Sequence, residues 1–509
     1  MSELSLSDLT TAAAAAVEPA FIVAATPKLG GVDPLGLRQI NFDLMDQVIP
    51  DLNNVARHIR PFVVVTWAWR RAQQLAEARG ADEVSVDELR DFVDRIEVIY
   101  AWSQFLRNSD ADLPGRQVLA PLLRSDRWFF GGNAWRKQRE TRRYSTAFTA
   151  PITYGPSLKT LGWVAPHREH ADVLIPTAAS GPALDAFEAR IIDRLDHAAF
   201  SQFGEVEVTA SEILDWSEGW ASEGWALDQI TEAEKSVMAE MLLGSLAPLT
   251  RRRGGALMRA AVAHAATADV AIVRQVMAGV PSNFVPPADL THAFEAWRRI
   301  QVRQLFRLSL EALFYWTLLQ IEEGPMSTEA LVGALLHQSG RPERGSAREW
   351  LHAPGVAGSG PTALMDRIRD ALNDASQGSL ASAIAEGLSF SIAEAPERGQ
   401  SFETTDRLPL FRARREAEAW MEAPTRSFVR HVLESWVLAQ HVYWSVGRGL
   451  ADARAGGKTL LRLKIVLEEG GWTLAPGASR GAPPVPTPDR LQTALTLATE
   501  SGLLGVDAS

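Results

Sequence analysis

Tyr154–Ile191 reads YGPSLKTLGWVAPHREHADVLIPTAASGPALDAFEARI. Its apolar spacing and turn residues spell helix, short strand, polar turn, strand, helix, the order of a winged-helix unit. Ser157–Leu161 would end the recognition helix, and Gly162-Trp163-Val164 would lead it into a strand. Arg168, Glu169 and His170 would stand on the wing, Asp172–Ile175 would return, and Ala183–Ile191 would close the unit. Such units set a helix into a major groove and anchor it through phosphate contacts. Others serve purely as protein–protein scaffolds, and the residues leave both readings open.

The stretch just before it is basic. Residues 124–150, RSDRWFFGGNAWRKQRETRRYSTAFTA, carry Arg124, Arg127, Arg136, Lys137, Arg139, Arg142 and Arg143 against Asp126 and Glu140. Trp128, Phe129, Phe130, Trp135 and Tyr144 are interleaved with them. Cations among aromatics grip single-stranded nucleic acid. Arg136, Lys137, Arg142, Arg143, Lys159 and Arg168 are therefore the candidate nucleic-acid contacts, with His167 beside them.

Residues 201–234 reverse the sign, with no Lys or Arg and many Glu and Asp. This acidic segment could equally neutralise the basic one inside the chain. It holds the near-repeat WSEGWASEGW, whose Trp216, Trp220 and Trp225 are candidates for docking a partner protein, because Trp anchors dominate interfaces.

Composition bounds these readings. The chain has 509 residues, 46% hydrophobic and 22% charged, which fits a globular protein of several domains. A net charge of −11 excludes a general nucleic-acid coat but leaves room for local basic patches. With no Cys, disulfides, thiolate nucleophiles and Cys-bound zinc are excluded, and a reducing compartment is expected. Residues 11–27 are apolar, but Glu3, Asp8 and Glu18 and the lack of a basic flank argue against a secretory signal. The run PFVVVTWAWRR is too short to cross a bilayer, so a cytoplasmic chain without a membrane partner is expected.

Periodicity gives the remaining organisation. A helical stripe runs through Leu37, Ile40, Leu44, Met45 and Val48. A second helix is expected from Asn53 or Asn54, kinked at Pro61, and Ser85 with Glu88 forms a capping box for a third. Residues 231–280 read as helix broken by RRRGG at Arg251–Gly255. The long helix from Thr291 is apolar on too many sides for one stripe, so it should be buried around much of its circumference. Gly- and Pro-rich residues 338–362 read as a linker. A helix over 424–455 is followed by a hairpin turning at Glu469-Gly470-Gly471, and a last helix begins after Pro488. The expected fold is mainly α: a multi-domain helical protein with a winged-helix-like unit and a small C-terminal β-hairpin. Its segments are an N-terminal helical domain (1–123), the basic segment with the winged-helix-like unit (124–200), an acidic Trp-rich and helical domain (201–337), the linker (338–362) and a C-terminal helical domain with the hairpin (363–509).

The chemistry-bearing patterns fall short of a catalytic motif. HREH at His167–His170 is not the four-apart pair of a zinc helix, and exposed-loop histidines explain it better. Gly456-Gly457-Lys458-Thr459 is not a phosphate loop, since Asp452 stands where the first Gly belongs. His431 and His441, with Arg430, Glu434 and Trp436, either line a polar pocket or are satisfied inside the fold. Glu468 and Glu469 beside Lys464 resemble a fragment of a nuclease metal site, without the upstream acid. No catalytic residue, metal or cofactor is expected.

Several pieces together resemble one family. They are DPLGLRQINFDLMDQVIPDLNNVARHIRPFVVVTWAW at Asp33–Trp69, YGPSLKTLGWV at Tyr154–Val164, VLIPTAASGPALDAF at Val173–Phe187, EEGGWTL at Glu468–Leu474 and PTPDRLQTALTLATESGLL at Pro486–Leu504. They are similar to uncharacterised, mostly helical bacterial proteins of anti-phage defence islands, over about half the chain. Trp163 stands where that family has Leu, and Pro176-Thr177 and Ser180-Gly181 depart from its strand-to-helix pattern. The resemblance implies membership in a multi-protein defence or DNA-handling system. Taken with the winged-helix-like unit and the basic residues, it leads to the expectation of a non-enzymatic adaptor or sensor subunit working beside a separate ATPase or nuclease, with DNA as a candidate partner. Two alternatives from other classes are a metal-dependent nuclease using Glu468, Glu469 and Lys464, and a dimeric transcriptional regulator.

Overall fold

The computed structural model describes residues 21–22, 33–80, 83–108, 111–114, 116–119, 126–141, 154–218, 220, 230–280, 283–353, 360–374, 377–454 and 460–505. The chain is mainly helical, with a few short strands. It divides into two compact units, each drawn from separated stretches: 46–277, 284–294 and 488–509 in one, and 1–45, 278–283 and 295–487 in the other. Among the described residues, no single helix is long and apolar enough to cross a membrane.

Helix α1 (Arg38–Met45) falls in the unit that contains residues 295–487. It opens under Asp33, whose carboxylate accepts from Leu37 N and Arg38 N, both at 2.9 Å. The other unit is built on α2 (Ile59–Arg79) and α3 (Val86–Arg107). Helix α2 starts later than its sequence suggests. Pro61 falls in the first turn, where no amide donor is missed. Ser85 and Glu88 cap α3 reciprocally, as their spacing predicts.

The basic segment yields β1 (Arg127–Phe130) and α4 (Gly132–Thr141), then α5 (Tyr154–Thr160), β2 (Val164–Pro166), β3 (Leu174–Pro176) and α6 (Gly181–Arg190). Strand β4 (Val206–Thr209) pairs antiparallel with β1, setting Arg127 opposite Thr209 and Phe129 opposite Glu207. Helices α7 (Ala210–Trp216), α8 (Glu232–Leu243), α9 (Leu249–Ala265) and α10 (Val270–Met277) follow.

Helix α9 overturns the expected break at Arg251–Gly255, because it runs straight through it. The two glycines serve packing. A Cβ on Gly254 would overlap the Val48 carbonyl oxygen, and one on Gly255 would overlap Leu243. Arg251 is buried as well, donating to Leu242 O at 2.9 Å, Met241 O at 2.8 Å and Asp51 at 2.7 Å. The true break lies at Gly244–Pro248, between α8 and α9.

The other unit is arranged around residues 295–321 of α11 (Thr291–Ile321), buried on nearly every side. Its apolar residues join a core with α12 (Thr328–Ser339), α14 (Pro361–Asn373), α15 (Gln377–Ala393), α16 (Leu410–Trp420) and α17 (Thr425–His431). Between α12 and α14 the stretch read as a linker contains α13 (Ala347–Leu351), capped by Ser346 and Glu349 and anchored by buried Trp350.

Helix α11 also carries a buried polar spine. Arg303 donates to Leu408 O (2.8 Å), Arg407 O (3.0 Å) and Leu37 O (3.3 Å). Gln304 exchanges two hydrogen bonds with the Thr487 backbone and accepts from Asn41. Arg307 donates to Glu311 at 2.6 Å and to Val485 O at 2.7 Å. Irregular segments thus find partners for carbonyls that burial would otherwise leave orphaned.

Helix α17 does not continue regularly into α18 (Ala439–Arg454), because Val432–Leu438 between them is a π-helix. The expected hairpin is present as β5 (Ile465–Glu468) and β6 (Gly471–Leu474), and the final helix is α19 (Leu491–Glu500).

Candidate nucleic-acid interface

The stretch from 154 to 190 folds locally as its residues dictate. Helix α5 ends in a Schellman motif: Trp163 N donates to Leu158 O (2.9 Å) and Gly162 N to Lys159 O (3.2 Å). Gly162 takes φ +87°, which a side chain there would resist. Strands β2 and β3 pair in the register Val164↔Pro176, Ala165↔Ile175, Pro166↔Leu174. Thr177 then closes the hairpin by donating from its hydroxyl to Gly162 O at 2.6 Å.

The inner face of α5 is committed to the core. Tyr154, Ser157 and Leu158 are fully buried. The Tyr154 hydroxyl accepts from His58 N (3.1 Å), and Ser157 Oγ accepts from Asn53 N (3.2 Å). Burial drives the Tyr154 phenol well above its ordinary pKa, so it stays neutral. Trp163 packs on Phe62 with ring centroids 5.9 Å apart. Helix α6 is held against α2 by Trp67 Nε1 donating to Glu188 (2.8 Å), by Arg70 bridging Asp185 and Glu188, and by Trp67 meeting Phe187 edge-on.

What remains outward is polar and small. Lys159 and Thr160 are the exposed residues of α5, and the Thr160 hydroxyl donates to Asp51 O at 2.6 Å. At the hairpin tip, Arg168, Glu169 and His170 are exposed. His167 Nδ1 accepts from Glu169 N at 3.2 Å, which leaves the ring proton on Nε2. The His167 and His170 rings stack at 5.5 Å. Asp172 pairs with Arg90 at 3.7 Å. Among the described residues, neither Lys159 nor Arg168 has an ion-pair partner, while Glu169 subtracts from the charge of the tip.

The basic segment is used differently from its sequence reading. Arg136 pairs with Asp91 at 2.7 Å, and Arg127 pairs with Glu207 of the acidic stretch at 3.0 Å. Lys137 has no ion-pair partner among the described residues. Arg142 and Arg143 lie outside the described residues, as does Tyr144. The aromatics do not form a stacking platform. Trp128, Phe130 and Trp135 are buried, with Phe130 and Trp135 meeting edge-on at 4.6 Å. Trp135 Nε1 donates to Asp94 at 3.0 Å. Phe129, 66% exposed, is the aromatic of this group that faces outward.

The candidate docking tryptophans are likewise spent inside. Trp220 is fully buried, stacked on Tyr100 (5.9 Å) and edge-on to Phe200 (5.8 Å) and Phe187 (6.4 Å). Trp216 is 5% exposed and packs against Phe200 at 4.8 Å and His197 at 4.9 Å. Their apolar area is better buried against these rings than left for a partner, so neither is the surface anchor its sequence suggested. Trp225 lies outside the described residues.

The remaining polar constellations of the sequence also resolve as packing. His441 is buried, with Nδ1 donating to Pro34 O (2.8 Å) and Nε2 accepting from Lys464 N (2.9 Å). That fixes a neutral tautomer, and burial lowers its pKa to about 4. His431 instead faces Glu416, at 3.0 Å. Lys464 Nζ donates to Arg480 O at 2.6 Å, and Glu468 and Glu469 are exposed at the hairpin turn. Among the described residues, no group of three or more His, Asp or Glu is arranged to hold a metal ion. Gly456–Thr459 lie outside the described residues.

An ionic cluster beside Tyr154, buried at His58 and Glu500 and open to solvent at Asp112, escapes sequence reasoning. His58, capping α2, contacts Glu500 of α19 at 2.6 Å and Asp112 at 3.5 Å, and Glu500 also accepts from Ile59 N at 2.8 Å. Burial opposes the charged imidazole, but hydrogen bonds and charges of Asp112 and Glu500 outweigh it and hold the pKa at about 10. No local pattern signals it, since its members stand far apart in the chain. No protein family, characterised protein or solved structure matches the chain.

Proposed function

We propose that residues 154–190 are a winged-helix-like module. Through it the chain, a non-enzymatic adaptor or sensor subunit, touches nucleic-acid phosphates beside the separate ATPase or nuclease of a bacterial defence or DNA-handling complex. The observation that carries this reading is the exposure of Lys159 at the end of α5 and Arg168 at the hairpin tip, both without an ion-pair partner among the described residues. Lys137 of α4 is a third such cation. The complex and its setting rest on the family resemblance alone.

The exposed part of α5 is too short to read base edges over several pairs. Phosphate contacts position a protein without carrying sequence. Binding is therefore weak, salt-dependent and indifferent to sequence. The test is fluorescence anisotropy of the chain on labelled duplexes of unrelated sequence across a salt series. Binding should be comparable among them and weaken about tenfold or more in the double variant Lys159→Glu, Arg168→Glu. Absence of binding at low salt, or equal binding by the double variant, overturns the phosphate reading.

A further inference from the structure

Helix α9 turns a file of arginines outward. No acid stands between Glu240 and Asp269 in the chain, and α9 itself carries Arg251, Arg252, Arg253 and Arg259. Arg251 is spent on Asp51 and two carbonyls. Arg252, Arg253 and Arg259 are exposed, and none has an ion-pair partner among the described residues. Arg252 and Arg259 are seven residues apart, so they share one side of the helix about 10 Å apart along its axis, with Arg253 about 100° round from Arg252. The acids that flank α9 do not answer them. Glu240 accepts from the Ser245 and Leu246 amides, and Asp269 accepts from Ile272 N at 2.8 Å. Asp289 is exposed on the 3-10 turn Ala288–Leu290, which packs against α9, and it pairs with none of the three.

The fold ties this helix to the exposed end of α5. Asp51 accepts from Arg251 through its carboxylate at 2.7 Å and from the Thr160 hydroxyl through its carbonyl at 2.6 Å. Gly254 lies against the Val48 carbonyl. Residues 48–51 thus bind both the first turns of α9 and the end of α5, and Lys159 and Arg252 each adjoin a residue that grips Asp51.

We propose that α9 lies along the phosphate backbone of a nucleic-acid duplex, with Arg252, Arg253 and Arg259 adding to the contact that Lys159 makes. The proposal rests on the phosphate reading given above and enlarges it from separate cations to a track. Charges along one DNA strand recur about every 3.4 Å of axis, so Arg252 and Arg259 span about three of them. An anionic membrane is the poorer fit. Interfacial helices insert an apolar face, and that of α9, with Leu257, Met258, Ala261 and Val262, is buried in the core.

Fluorescence anisotropy of the full chain on a labelled duplex, over a salt series, tests the proposal with the triple variant Arg252→Ala, Arg253→Ala, Arg259→Ala. Each lost phosphate contact should lower the slope of log affinity against log salt by about 0.9, so the triple variant should lose about 2–3 from it. The matching triple lysine variant should keep the wild-type slope, since phosphates answer to charge. The three arginines are exposed and alanine favours helix, so the thermal melt should stay unchanged. An unchanged slope in the alanine variant overturns this inference, and leaves the α5 reading standing where Lys159→Glu, Arg168→Glu still weakens binding. Loss in the alanine variant with none in that double variant sustains the α9 track and removes the hairpin from the contact. A chain that binds no duplex at low salt overturns both.

Discussion

His431 and Trp436 stand five residues apart yet hydrogen-bond the same oxygen of Glu416, at 3.0 and 2.6 Å. On a regular α-helix five residues turn the side chain about 140° away. The π-helix from Val432 to Leu438 removes that divergence, since its bonding brings residues five apart together. The extra residue per turn is thus the means by which one carboxylate is satisfied from two positions. Trp420, stacked on the His431 ring at 5.0 Å, closes the cluster.

Glu416→Ala should therefore cost about 2–3 kcal/mol, because it strands the donors of Trp436 and His431. Burial pushes the Glu416 carboxyl up, but hydrogen bonds from His431, Trp436 and Arg412 outweigh it and hold the pKa at about 2. Its stabilisation is complete above the ordinary value of 4.5 and is lost as pH falls toward 2. Urea denaturation of the wild type and the variant between about pH 2 and 6 should show curves converging at the acid end. Parallel curves would refute the coupling.

The cluster at His58 has the opposite dependence. An imidazole raised from 6.5 to about 10 adds stability that is fully present below pH 6.5 and is lost as pH climbs to 10. His58→Ala should cost about 3–5 kcal/mol near neutrality by leaving Glu500 buried without its cation. The variant's own stability should be flatter between about pH 7 and 10. Thermal melts across that range decide it, and an equally steep decline in the variant assigns the effect to other groups.

Gly254 offers a contest between local and tertiary terms. Replacing a helical glycine with alanine ordinarily gains about 1 kcal/mol. At Gly254 the new Cβ meets the Val48 carbonyl, so Gly254→Ala should instead destabilise by about 1–3 kcal/mol. Gly447 in α18 has open space at its Cβ, and Gly447→Ala should be neutral or stabilising by up to about 1 kcal/mol. Chemical denaturation of both variants checks the pair. Equal effects would mean that the Val48 contact yields without cost.

Removing Lys159 alone, as Lys159→Ala, should lower the slope of log affinity against log salt by about one while leaving the indifference to sequence unchanged. A change in sequence preference instead would make α5 a reading helix rather than an anchoring one.

The sequence is most legible where the cause is local. The Ser85 and Glu88 cap, the turn at Glu469–Gly471 and the helix–hairpin–helix order from Tyr154 to Arg190 all depend on neighbours within a few residues. It is least legible where a distant group decides. Gly254 and Gly255 look like a break until the Val48 carbonyl and Leu243 are known to lie against them. Val432–Leu438 is indistinguishable from ordinary helix without Glu416. Strand β1 acquires its partner some eighty residues later, so nothing local marks a strand inside a basic run. Tryptophans of WSEGW look the same in sequence whether they face a partner or, as Trp216 and Trp220 do, their own core.

The spine of α11 has a consequence for how the chain is made. Gln304 and Arg307 obtain their backbone partners at Thr487 and Val485, 183 and 178 residues further on. At about 5–20 residues per second, a ribosome takes roughly 10–40 s to supply them. Through that interval the central helix of its unit has Arg307 paired with Glu311 but lacks the backbone partners that Gln304 and Arg307 hold in the folded chain. Completion of this core is therefore expected to come late in synthesis, after Thr487 has been added.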